Sequence, residues 1–267
     1  MGLPRFSDEF LEFLHAVSEF SLGRDSQMWY RGQASRDYRL IPSLFRGIDM
    51  NTPHSVEIVS RLERSLYFKF KDQGYQYIEQ ASGLELLAIM QHHHVPTRLL
   101  DWTHSFAVAL YFATESLNFE RGPHIWVLDP QELNFNAQGK RLVGHVNPGD
   151  YDNLMKAEGA IPIWNTIAIQ SPLNNDRIVA QQGVFTLHAT RGTPLEEEVF
   201  GSQNEHSPNS ILRKFDVPNC PIDIGMFLAL NGLTNKFLLF RGLDHLASEL
   251  VNYKNTFIIR EMAKLNG

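Results

Sequence analysis

QHHHVPTRLLDWTHSFAVALYFAT, residues 91–114, sets three adjacent histidines, an Arg, an Asp and a Trp ahead of an apolar run. From Phe106 to Leu117 the chain is apolar almost all round, which predicts a buried helix. Charged groups pressed against a core must be paired or hydrogen-bonded, so this many polar side chains at the mouth of a buried helix point to a built site. Thr103 or Ser105 is placed to cap that helix. Residues 95–103 read as a loop, in which Arg98 and Asp101 can pair to keep it rigid. Equally, the helix start can present free N–H groups to an anion. A second polar cluster, Trp29-Tyr30-Arg31-Gly32-Gln33, closes a short strand over residues 27–32.

Working outward, residues 7–21 carry Ser7 as a cap, Asp8 and Glu9 in the first turn, and one stripe of Phe10, Phe13, Leu14, Val17 and Phe20. A second helix starts at Thr52-Pro53 and runs to about Lys71, with Val59, Leu62, Leu66 and Phe70 inward. Ser82-Gly83-Leu84-Glu85 has the form of a capping box for a third, which carries Leu84, Leu87, Ala88 and Gln91 toward the core until Pro96 breaks it. Strands are expected at Ile125–Leu128, Ile178–His188 and Ile211–Val217, with mostly loop over 130–176. Helices follow at about 221–231, stopped by Gly232, and at about 243–254. Helices and strands do not alternate, so the fold class is α+β, with mixed or antiparallel sheets and flanking helices. No linker, repeat or low-complexity tract divides residues 1–267. They read as one domain: a helical part to about 90, a sheet-rich part over about 91–220, and helices beyond.

Composition bounds the possibilities. Hydrophobic content of 43% and charged content of 20% suit a packed core. One cysteine, Cys220, permits no internal disulfide and fits a reducing, cytoplasmic setting. No leader-like segment and no run of about 18 apolar residues is seen. Net charge is −6, which argues against a broadly cationic nucleic-acid coat. The first 50 residues nevertheless hold six arginines (5, 24, 31, 36, 39 and 46) and no lysine. Arginine favours bidentate contact with phosphate or carboxylate.

Arg31, at a strand end beside aromatics, suits a phosphate or a carboxylate ligand, or an ordinary ion pair with an Asp. Gly32 lets backbone or ligand come close. His92, His93 and His94 cannot all face one way and lack a Cys or HExxH-like partner pattern, so no metal is expected. In RIVAQQGVFTLH, residues 177–188, Gln181 and Gly183 share a strand face with Phe185, and a Gln there needs partners. Glu196-Glu197-Glu198 reads as a solvated loop. No GxGxxG, Walker or GxSxG motif is present.

Trp29 to Gln33, then Leu40-Ile41-Pro42-Ser43-Leu44-Phe45-Arg46, then Gln91-His92 through Thr97 to Thr103, then Ala109-Leu110-Tyr111-Phe112-Ala113, resemble the FRG family. That family is named for an aromatic–Arg–Gly triplet, here Tyr30-Arg31-Gly32. The order and spacing match over about residues 25–115, and Ala180–Phe185 resembles a later motif. One departure is Val95, where Gly is expected.

The layout is in turn similar to the ADP-ribosyltransferase fold, a split β-sandwich. This resemblance implies NAD as substrate and transfer of ADP-ribose to DNA, RNA or protein, or NAD hydrolysis, in a toxin or an anti-phage effector. It implies a catalytic set of Arg31, Gln181 and Asp101, and NAD contacts from Tyr30, Arg31, Gly32, Gln33, His92, Thr97, Arg98, Trp102, Thr103 and Tyr111. In that fold a later strand carries a catalytic Glu. RIVAQQGVFTLH has none, and Gln181 stands in its place. Asp101, or Glu197 from its loop, can supply a carboxylate. The alternative is a non-catalytic module that binds a nucleotide or a phosphorylated partner.

Overall fold

Six strands form an antiparallel sheet in the computed structural model, which describes residues 5–22, 24–78, 81–116, 118–144, 148–170, 176–201 and 210–233. The helix expected at 243–254 lies outside these residues. The strands are β1 (Trp29–Gln33), β2 (Leu99–Thr103), β3 (His124–Leu128), β4 (Ile167–Ile169), β5 (Gly183–Leu187) and β6 (Leu212–Asp216), in the order β4-β5-β2-β1-β3-β6. The helices are α1 (Asp8–Leu22), α2 (Ser55–Gln73), α3 (Gly83–His92), α4 (Phe106–Thr114), α5 (Pro130–Gln138), α6 (Pro148–Lys156), α7 (Asp176–Gln181), α8 (Leu195–Phe200) and α9 (Pro221–Leu230). The fold is α+β, as the irregular alternation predicts.

The sheet is joined at its middle by one position. Strands β1 and β2 pair only where Tyr30 faces Thr103, whereas β1–β3, β2–β5 and β3–β6 each pair over five positions. Two three-stranded halves, β4-β5-β2 and β1-β3-β6, therefore part immediately beyond Tyr30. Among the described residues both halves belong to one sheet.

Side-chain alternation sorts the core. On one face Tyr30, Ile125, Val127 and Phe215 meet α1, α4 and α9. Further along that face Leu99, Ile169, Phe185 and Leu187 meet α2, α3 and α6. On the opposite face Trp29, Leu100, Trp102, Trp126 and Leu128 gather Leu40, Leu133 of α5, and Leu195 and Val199 of α8.

Local signals held at α1, where Ser7 Oγ accepts from Phe10 N at 3.3 Å, and at α4, where Ser105 Oγ accepts from Val108 N at 3.3 Å. Others need correction. Residues 99–103 are strand β2, not loop: Asp101 is the one exposed residue in a five-residue run otherwise buried on both faces. Ser82 makes no side-chain cap; Gly83 N donates instead to Tyr67 Oη at 2.6 Å. In α2 the buried stripe is Val59, Glu63 and Tyr67, while Leu62 is exposed, because the helix turns a carboxylate inward to meet Arg98. The stretch 130–176 holds α5, α6 and β4. Asp129 caps α5 by accepting from Gln131 N and Glu132 N at 3.1 Å, with Pro130 at the first helical position. The strand expected from Ile178 breaks in two: α7 ends at Gln181, Gln182 takes φ +48°, and only then does β5 begin. Glu196 to Glu198 lie on α8.

Gly32 explains how α4 sits on the sheet. A Cβ there would stand 1.8 Å from Ala109 O and 2.7 Å from Ala113 N, so the backbone of α4 occupies the space that any side chain would need. The close approach that Gly32 permits is that of a helix.

Candidate functional site

Arg31 is the first residue of β1 beyond the point where the halves part. Its Nη1 donates to the Asp101 carbonyl oxygen at 2.6 Å and lies 4.0 Å from the Asp101 carboxylate. The guanidinium thus reaches across the split to a carbonyl that a continuing β1–β2 ladder would have used. Its Nε–H is sealed from solvent and has no acceptor among the described residues. Burial pushes the guanidinium pKa down, Asp101 opposes this, and the nearby charge of Arg46 adds to the depression.

A cavity of about 910 Å³ opens at the split. Its walls come from β1, β2, the segment 34–48, Gln91 and His92 of α3, and Ala109 and Phe112 of α4. Arg31, Arg39 and Arg46 line it, as do Asp37, Asp101 and Glu115. Arg39 is already paired, at 3.1 Å with Glu196 and more closely with Glu197. Those glutamates therefore form an anchor for the lip of the cavity rather than a solvated run, and Glu197 is not among the residues lining the cavity. Tyr38, Ile41, Phe45 and Ile48 give that side an apolar surface.

The Asp101 carboxylate is exposed and held by Gln91, whose Nε2 donates to Oδ2 at 2.9 Å. The Gln91 amide is oriented in turn: its Oε1 accepts from Thr97 Oγ1 at 2.5 Å, and that hydroxyl accepts from Leu99 N at 3.1 Å. Thr97 is fully buried and acts through Gln91 rather than at the cavity wall. Gln91, as a polar side chain in the last turn of an apolar helix just before Asp101 in sequence, was the available signal for this role.

The other expected site residues divide. Tyr30, Gly32, Gln33, His92, Trp102, Thr103 and Gln181 line the cavity with Arg31 and Asp101. Several of them have their polar atoms committed. Tyr30 Oη donates to Ser21 Oγ at 3.2 Å. Trp102 Nε1 donates to Thr186 Oγ1 at 3.1 Å. Thr103 Oγ1 donates to Gln181 O at 2.6 Å and accepts from Ser105 N at 2.9 Å, which ties the end of α7 to β2. Gln181 comes to the cavity from a helix end, not from the face of a strand. His94 joins the wall from a left-handed turn at φ +59°.

Arg98 and Tyr111 stand elsewhere. Arg98 is 0% exposed. It is paired with Glu63 through Nε at 2.7 Å and through Nη2, and its Nη1 donates to His188 O at 3.1 Å and Thr190 Oγ1 at 3.2 Å. Tyr151 Oη donates to the same Glu63 at 2.6 Å. This is a closed internal network, so Arg98 neither pairs with Asp101 nor reaches a ligand. Tyr111 is buried in the α1–α4–α9 core. Among the described residues no group of three or more His, Cys, Asp or Glu side chains is placed to hold a metal ion, and no helix is long and apolar enough to cross a membrane.

Residues 26–121 match the family model of the FRG domain. The match takes in Arg31, Gln91 and Asp101, together with both strands that part at the split, and stops short of Gln181. No curated protein and no solved structure matches the chain.

Proposed function

We propose that the cavity binds NAD and that the protein transfers ADP-ribose from it to a macromolecule. The observation that supports this reading is the Arg31 guanidinium: half-buried at the split, lining the cavity, with an Nε–H that has no acceptor among the described residues. A sealed guanidinium N–H short of an acceptor is costly, and an anionic ligand entering the cavity would complete its set. The volume falls in the range of roughly 300–1,000 Å³ typical of small-molecule sites, which suits a dinucleotide.

NAD would supply a glycosidic bond whose cleavage builds positive charge on the ribose beside nicotinamide. Arg31 and Arg46 would hold the pyrophosphate at the positive end of the cavity. Asp101 would face the developing charge with its carboxylate, and Gln91 keeps that carboxylate in one orientation. Asp101 is also the group able to accept a proton from the attacking hydroxyl, amine or ring nitrogen. Gln181 would contribute hydrogen bonds only, since an amide cannot act as a base. A second reading, nucleotide binding without turnover, is favoured by one fact: after Asp176 at the start of α7, no carboxylate follows through the rest of α7 and β5, over residues 177–187.

One assay separates the two. The protein is incubated with NAD labelled in the adenosine moiety, with DNA, RNA or cell lysate, while free nicotinamide and transferred label are followed. Release of nicotinamide with label on a macromolecule supports transfer. Saturable NAD binding with neither product leaves the binding module.

A further inference from the structure

Gln33 lines the cavity, yet its amide oxygen is taken by a buried His–Trp pair. Trp126 Nε1 can only donate, so the Gln33 atom it meets at 3.1 Å is Oε1. The same oxygen lies 3.0 Å from His124 Nε2, which must therefore donate as well. Gln33 Nε2 is left to donate to Arg39 O at 3.3 Å, and so the amide holds the lip that carries Arg39. The other ring nitrogen, His124 Nδ1, lies 3.1 Å from Gly122 O, an atom that only accepts. Both nitrogens of a ring that is 1% exposed thus face acceptors. A neutral imidazole carries one N–H and can satisfy only one of them; an imidazolium satisfies both.

The surroundings oppose that charge while the cavity has no anion. Burial is the largest influence lowering the pKa of His124, and Lys214 on β6 and Arg31 on β1 add to it. The Gly122 carbonyl and Asp216 on β6 act the other way. Arg36 lies against Gly122 itself, its Nε 2.6 Å from where a Cβ would stand.

We propose that capture of an anion at Arg31 is coupled to uptake of one proton by His124, whose imidazolium form locks Gln33 and, through it, the 34–39 lip of the cavity. The inference rests on the anion-binding reading of Arg31. The proton comes from solvent and adds to whichever ring nitrogen is bare; no bond is broken. An anion that cancels the Arg31 charge removes one of the influences holding His124 neutral, and the two acceptor oxygens then favour the second N–H. His124 acts through Gln33, so it is a positioning residue. By reciprocity, anion affinity rises as pH falls, by up to about tenfold per pH unit where uptake is complete.

The test uses ADP-ribose, whose diester pyrophosphate does not titrate near neutral pH. Calorimetric titrations are run in two buffers of different ionisation heat, alongside nitrogen NMR of histidine-labelled protein. The expected result is saturable binding with uptake approaching one proton, and His124 nitrogens that move to imidazolium positions on saturation. Saturable binding with no uptake and unmoved His124 signals overturns the coupling and leaves the Arg31 site standing. Absence of saturable binding removes the coupling together with the reading beneath it. In His124→Gln the uptake should vanish while binding persists; uptake that persists in this variant overturns the assignment to His124. Should that variant fail to fold, the NMR titration of the unaltered chain decides alone.

Discussion

Arg31 Nη1 and the carbonyl oxygen of Asp101 are 2.6 Å apart across the line where the sheet divides. Beyond Tyr30 the two central strands stop pairing, and a side chain from one takes up a backbone acceptor of the other. The same two residues present their charged groups to the cavity, so the element that closes the split also sets the geometry of the candidate site. The Asp101 carboxylate stays exposed, steered by Gln91 and only 4.0 Å from Arg31.

Asp101→Asn separates binding from chemistry. The amide can still take the Gln91 bond, and the carbonyl that accepts from Arg31 is backbone and unaffected. Nicotinamide release should fall by about 10²–10³, the scale of losing one well-placed electrostatic group, while NAD affinity changes little. Steady-state rates and calorimetry on the same preparation check this. An unchanged rate would assign the chemistry to another group.

Gly32→Ala tests why the triplet ends in glycine. Its Cβ would meet the α4 backbone at Ala109 and Ala113, where no flexible side chain can yield. The cost should be about 3 kcal/mol or more, and the Tm should fall by roughly 10 °C. A thermal melt decides; a variant as stable as the parent would mean that the glycine serves a ligand after all.

Glu63→Gln should be strongly destabilising, by about 3–5 kcal/mol, because Arg98 would keep its charge inside a dry network. The double change Glu63→Leu with Arg98→Met should cost less than the single one, since it removes both charges together. Denaturant unfolding of the three chains measures this, and a double variant worse than the single would contradict it.

His188 makes stability fall in acid. Burial, with Arg31 and Arg98 nearby, pushes its pKa down to about 3, so the folded chain holds it neutral. The unfolded chain protonates it below about pH 6.5 and the folded chain does not, so stability drops as pH falls from there toward 3. Between pH 7 and about 4.5 the parent should lose roughly 2–3 kcal/mol more than His188→Gln. Equal losses in the two chains would remove this residue from the acid sensitivity.

Local chemistry was legible and long-range pairing was not. The buried helix over Phe106–Thr114, its Ser105 cap and the Arg31 strand follow from adjacent residues, and so could be read from the chain. Asp129-Pro130 also carried a helix start, but the Asn- and Gly-rich stretch that follows masked α5 and α6. Arg98 was misplaced for a different reason. Its partner Glu63 is 35 residues away on a helix face that looks solvent-exposed by sequence, and an Arg bound for a ligand is indistinguishable there from one bound for an ion pair. Likewise Gln181 and Gln182 fit a strand by alternation, and only the left-handed turn at Gln182 ends it. The site's charged centre was readable because polar groups crowded against apolar sequence are costly; the clamp of Gln33 by His124 and Trp126 was not, because it forms across strands.

The most direct test is NAD titration of the parent, Arg31→Lys and Arg31→Ala by calorimetry at constant ionic strength. Saturable binding by the parent is expected, weakened by about tenfold to a hundredfold in Arg31→Lys, which keeps a charge but loses the planar fork, and lost in Arg31→Ala. Equal affinity in all three folded chains would contradict the assignment of this arginine to the ligand.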